Sequence, residues 1–162
     1  SYRDMPRQIL DAQPDILLTG HGGGVVCDPA QVQRWQVWME EWQAIFTRML
    51  DQPHPNLGMD PRWVEFYPYK VRIQPGERVR FELRVTNHEE TAQSFSARLR
   101  SVEGIQLAPE HLTAPIAPGA VAKMEVVAQF PQGFTTHSLT IVADVTWGGR
   151  RLGEIAEAIA YW

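Results

Sequence analysis

Arg78-Val79-Arg80-Phe81-Glu82-Leu83-Arg84-Val85 is the stretch whose reading decides the fold. Charged and apolar residues alternate without a break, and a period of two is the signature of a strand with one face buried and the other in water. Working outward, Val71 and Ile73 precede a Gln74-Pro75-Gly76-Glu77 turn, and residues 87–91 read as a polar loop. Phe95, Ala97 and Leu99 alternate with polar neighbours, and Ile105 with Leu107 suggests a short strand. Pro118-Gly119 signals another turn. Met124, Val126, Ala128 and Phe130 make one further alternating face, and Leu139, Ile141, Ala143, Val145 and Trp147 make the next. Gly148-Gly149 then reads as a hairpin turn before a last strand over residues 151–162, apolar on both faces at Ile155, Ile159 and Tyr161. The pattern predicts a mainly β fold: a seven-stranded antiparallel β-sandwich of immunoglobulin or fibronectin type over residues 63–162.

The first third of the chain has a different period. Met5, Ile9 and Leu10 fall at helical spacing within residues 2–13, and Pro14 ends such a helix. Ile16-Leu17-Leu18 has the composition of a short buried strand. Thr19-Gly20-His21-Gly22-Gly23-Gly24 cannot extend it and predicts a tight loop where backbone meets something closely. Asp28-Pro29 is a helix start, with a capping side chain followed by a proline at the first helical position. Val32, Trp35, Trp38, Met39, Trp42, Ile45, Phe46, Met49 and Leu50 then lay one wide apolar stripe along a helix ending near Asp51. Residues 52–62, with Pro53, Pro55, Gly58 and Pro61, read as a linker. The expected division is therefore 1–51, a linker over 52–62, and 63–162: a helical segment with one short strand, then the β-domain.

Bulk composition narrows the function. The chain of 162 residues carries a formal net charge of −4, which argues against a nucleic-acid surface. The arginines at 72, 78, 80 and 84 read as a solvated strand face. No apolar run approaches a membrane span. Cys27 is the one cysteine, so no intrachain disulfide can form, and a reducing, cytoplasmic setting is slightly favoured. No serine elbow, phosphate-binding GK[ST] loop, C-x-x-C or H-E-x-x-H is present. His21-Gly22-Gly23-Gly24 matches an esterase oxyanion loop only superficially, because that chemistry requires the serine elbow. His54, His88, His111 and His137 stand apart from one another in sequence and read as loop or β-domain residues.

Pro14-Asp15-Ile16-Leu17-Leu18-Thr19-Gly20-His21-Gly22, lying between two helices, resembles the last metal-binding segment of the metallo-β-lactamase-fold hydrolases. The resemblance implies that His21 is a metal ligand and that the cofactor is zinc. It also implies a two-metal site whose hydroxide attacks an ester, thioester, lactam or phosphodiester bond. The family's H-x-H-x-D-H cluster, a further histidine and a bridging aspartate are not in this sequence. Residues 1–51 are accordingly read as the C-terminal piece of such a domain. With the initial Ser in place of Met, the natural N-terminus is expected to be absent. Tyr67-Pro68-Tyr69, Gln74-Pro75-Gly76-Glu77 and Val85-Thr86-Asn87-His88 resemble the first strand pair of the immunoglobulin-like accessory modules appended to hydrolases.

The expectation is a fragment of a metal-dependent hydrolase with an accessory β-sandwich. By itself it is inactive, since a hydrolytic zinc takes three protein ligands. Its expected partner is the remainder of the catalytic domain, or a second copy through the helix carrying Trp35, Trp38 and Trp42. The competing expectation is a stand-alone binding or oligomerisation module in which His21 holds no metal. An independent enzyme is disfavoured, because no pair of acid and base groups stands at a spacing that demands one.

Overall fold

The computed structural model describes residues 4–50, 54, 56–101, 104–133 and 136–162, with the side chain of Leu50 excepted. Tyr2, Asp51, Pro53 and Pro55, which the sequence reading drew on, lie outside the described residues. The chain is mainly β and divides into two compact units, residues 1–61 and 62–162.

In the first unit, helix α1 (Met5–Ala12) ends at Gln13, whose left-handed conformation (φ 48°) lets its N–H cap the Ile9 carbonyl. Strand β1 (Ile16–Leu18) pairs antiparallel with β2 (Gly24–Val26), Ile16 opposite Val26 and Leu18 opposite Gly24. Helix α2 (Pro29–Leu50) follows. The Asp28 carboxylate accepts a hydrogen bond from the Ala30 N–H at 3.0 Å, so the cap expected from Asp28-Pro29 forms. Val32 is fully buried, the one such residue among the described side chains of α2. A short helix, α3 (Asn56–Met59), occupies part of the stretch read as linker, with Met59 buried and the His54 Nδ1 accepting the Asn56 N–H at 3.1 Å.

Two expectations for this unit need correction. It holds two short strands, not one, because Gly24-Val25-Val26 folds back on Ile16-Leu17-Leu18. Nor is the apolar run buried: Ile16 is 58% exposed, Leu18 85% and Val26 76%. A hairpin of two three-residue strands has no sheet to sit in and no face to hide on.

The second unit holds nine strands: β3 (Val64–Tyr67), β4 (Lys70–Arg72), β5 (Arg78–Thr86), β6 (Gln93–Ser101), β7 (Gln106–Ala108), β8 (His111–Ile116), β9 (Val121–Gln129), β10 (Ser138–Trp147) and β11 (Arg150–Tyr161). One sheet runs β4-β11-β10-β6-β8 and the other β3-β5-β9-β7. Phe81, Leu83 and Val85 of β5 point inward with Val126 and Ala128 of β9. From the larger sheet, Phe95, Ala97, Leu99, Leu139, Ile141, Ala143 and Val145 are buried too. Trp63 and Trp147 meet edge to face at 5.3 Å between centroids, joining the start of β3 to the end of β10.

The count of seven strands falls short by β3 and β8. β3 is only four residues long, and β8 is six residues interrupted by Pro115, so neither rises above the loop background. The pairing is not wholly antiparallel either: β4 runs parallel to β11, Lys70 beside Ile159 and Arg72 beside Tyr161. The chain crosses from one sheet to the other between β3 and β4, and that crossover fixes the direction of β4.

Candidate functional site

His21 sits at the turn of the β1–β2 hairpin, exposed, beyond the Leu18–Gly24 pair that closes the ladder. The base of the hairpin is tied by the Cys27 N–H to the Asp15 carbonyl at 2.9 Å. Strand pairing therefore holds the loop at one end, while the loop itself projects away from both strands.

The glycines around His21 are informative because the chain does not use them for itself. Gly20 and Gly23 have no positive φ, and a Cβ on either would meet nothing within 4 Å. At Gly22 a Cβ would come within 2.9 Å of the Thr19 Oγ1, and at Gly24 within 3.1 Å of Ile16 and 3.2 Å of Leu18, so these two positions are crowded from inside the hairpin. The backbone at Gly20 and Gly23 thus leaves room near the imidazole for an object from outside the hairpin.

The structure does not bring the other sequence-noted histidines to His21. His54 lies just before α3, with its Nδ1 engaged as an acceptor. His111 starts β8 opposite Arg98 of β6, and His137 immediately precedes β10. His88 lies in the loop after β5, beside Glu89. That carboxylate is committed elsewhere: it accepts hydrogen bonds from the Trp147 indole N–H at 2.6 Å and from the Gln93 amide. Among the described residues no group of three or more His, Cys, Asp or Glu is placed to hold a metal ion. The donor set around His21 therefore does not fit a zinc centre within this chain, which would take three or four protein ligands.

A second feature of the first unit went unseen in the sequence. A cleft of about 510 Å³ lies at the base of the hairpin, lined by Ile9, Leu10, Val26, Cys27 and Pro29 among others. It is at the opposite end of the hairpin from His21. Its walls come from α1, β2 and α2, so hydropathy along any one element does not reveal it.

The electrostatic centre of the second unit is Asp144, on the outward face of β10 but buried beneath arginine side chains. Arg151 donates to both its carboxylate oxygens, Nε to Oδ1 at 2.9 Å and Nη2 to Oδ2 at 2.9 Å. Arg100 approaches at 3.5 Å and is itself paired with Glu154. The Arg151 hydrogen bond holds the Asp144 carboxyl below its ordinary range against the opposing effect of desolvation. The charges of Arg151, Arg100 and Arg98 add to the lowering. An Asp saturated in this way is a structural tie between β6, β10 and β11, not a free acid or base.

No protein-family model matches the sequence, and no curated protein does. Among solved structures, the chain is similar to WR4, an MSP family member of C. elegans, at 15% identity and a TM-score of 0.39. That match covers 60% of this chain and 97% of WR4. It is similar to SSP-19, an MSP-domain-like protein of the same animal, at 12% identity and a TM-score of 0.40, over 60% of this chain and 96% of that one. A FixG-related protein of Vibrio parahaemolyticus matches at 14% identity and a TM-score of 0.41, over 52% of this chain and 77% of that one. No function is drawn from these likenesses. No described helix is long and apolar enough to cross a membrane.

Proposed function

We propose that residues 1–51 are the terminal helix–hairpin–helix segment of a metallo-β-lactamase-fold hydrolase and that residues 63–162 are its accessory β-sandwich of immunoglobulin type. The observation that carries the reading is the hairpin itself. His21 is presented at its turn beside Gly20, where a Cβ would meet nothing within 4 Å, and the flanking strands expose Ile16, Leu18 and Val26. Exposed apolar side chains on both strands of a hairpin favour a covering surface, since such contiguous patches are rarely left in water. In this reading that surface is the rest of the catalytic domain, and His21 completes a metal site whose other ligands it supplies. This chain's part is to present one imidazole at the turn of a hairpin whose paired strands anchor the loop at its base.

The closed core of residues 62–162 favours an accessory role for the second unit, because it needs no further partner to bury its inner faces. The reading frame that encodes the native protein tests the proposal at once. An H-x-H-x-D-H cluster ahead of residue 1 is expected. A native protein without that cluster returns the account to a stand-alone β-sandwich module in which His21 holds no metal.

A further inference from the structure

The exposed face of α2 carries a pattern that the proposed function does not use. Trp38, Trp42, Ile45 and Met49 are 53%, 57%, 45% and 73% exposed, and they follow one another at steps of four, three and four. That is the spacing of a coiled-coil seam, distinct from the broader stripe that faces the body of a globular domain. Val32, on another face of the helix, is the residue that α2 buries. Glu41 and Arg48 flank the seam on one side, one heptad apart, both exposed and neither in an ion pair among the described residues.

We propose that this seam pairs with the same seam of a second copy of the chain, antiparallel, with Trp38 against the second copy's Met49 and Trp42 against its Ile45. The four exposed residues are self-complementary in that register, which makes four layers about one two-fold axis. Charge selects the register. When Trp42 faces Ile45, Glu41 and Arg48 of the two copies are offset by two residues, about 3 Å along the axis at about 1.5 Å per residue, so two opposite-charge pairs close the seam. Sliding one copy by a heptad brings Trp35 into the seam and sets Glu41 against Glu41 and Arg34 against Arg48, all like charges. Trp35 is also half-buried already, so that register has less to gain. The seam is about 18 Å long and smaller than a standard interface of about 800 Å² per partner. A reversible dimer is the expected species. The inference is independent of any metal role for His21.

Sedimentation equilibrium of the 162-residue chain over a concentration series tests it. Wild type is expected to reach a dimer by concentrations on the order of 0.1 mM. Glu41→Arg and Arg48→Glu, each alone, place like charges at both flanks and are expected to weaken association by about tenfold or more. An equimolar mixture of the two variants restores it, because both flanking pairs are opposite in the mixed dimer. Circular dichroism matching wild type establishes that these exposed substitutions leave the fold intact. A chain that stays monomeric throughout, its seam reserved for a different protein surface, overturns the proposal. So does a dimer that neither charge reversal weakens, or two weakened variants that fail to rescue one another.

Discussion

Asn87 is wholly buried and has every hydrogen-bonding group engaged. Its side-chain amide donates to the Thr91 and Ile116 carbonyls at 2.8 and 2.9 Å, and its Oδ1 accepts the Glu89 N–H at 2.9 Å. Its main chain is bonded to Ala120 and Gly119. One side chain thereby pins the end of β5 to the end of β8 and to the loop that follows β5. Asn87→Ala strands two carbonyls and one N–H, and is expected to cost about 3 kcal/mol in urea unfolding. Asp144 makes a pH-dependent contribution. Its carboxyl titrates lower in the folded state than the unfolded value near about 3.9, so the unfolded chain takes up the proton first. The stabilisation is complete above that value and is lost as pH falls through the lowered folded value. Urea midpoints measured from about pH 5 downward are expected to fall more steeply for wild type than for Asp144→Asn. In the sequence, Asn87 was visible as the start of a polar loop and as part of the Val85-Thr86-Asn87-His88 resemblance, but its burial and its partners were not. The Asp144 site was not visible at all: Arg151 is close in sequence, but only the β10–β11 hairpin and the distant strand β6 bring it and Arg100 to one carboxylate.

At the scale of elements, legibility followed amplitude. β5, β9 and β10 carry large apolar residues on one face and were readable without a structure. In β11 the core face is Ala156, Ala158 and Ala160, while Ile155 is 43% exposed. The large residues Ile155, Ile159 and Tyr161 made the strand read as apolar on both faces, which hid the alanine face that packs in the core. Register shifts at Ala143/Asp144 and Val145/Thr146 add to this, because each bulge interrupts the alternation along the strand. Gly153, opposite Val145, takes φ 90°, a conformation that costs an L side chain, although a Cβ there would meet nothing within 4 Å. Gly153→Ala is therefore expected to destabilise by about 1 kcal/mol through backbone strain alone, seen as a lower Tm with the β-sheet spectrum retained. The β1–β2 hairpin was missed for the opposite reason. The five residues with three glycines read as a tight loop, but not as the hairpin turn that returns Gly24-Val25-Val26 onto β1. Helix α2 was legible from its cap to its last turn. Its division into a buried side at Val32 and an exposed seam was not, because a single wide stripe of apolar residues does not say which part of it is covered.

At the scale of the whole molecule, the two units differ in how well each satisfies itself. Residues 62–162 enclose a core of aromatic and β-branched side chains on two sheets, and the buried side-chain polar atoms are all paired among the described residues. Residues 1–61 leave Ile16, Leu18 and Val26 largely in water and present His21 with no co-ligand among the described residues. A unit so composed is most simply understood as part of a larger surface, and the account rests on His21 being one ligand of a shared metal site. Metal analysis of the native gene product, as wild type and as His21→Ala, tests that claim most directly. The account predicts bound zinc in the wild type and loss of about one metal equivalent in the variant, with the second unit still folded. A native protein that holds no zinc, or holds the same zinc after His21→Ala, would contradict it.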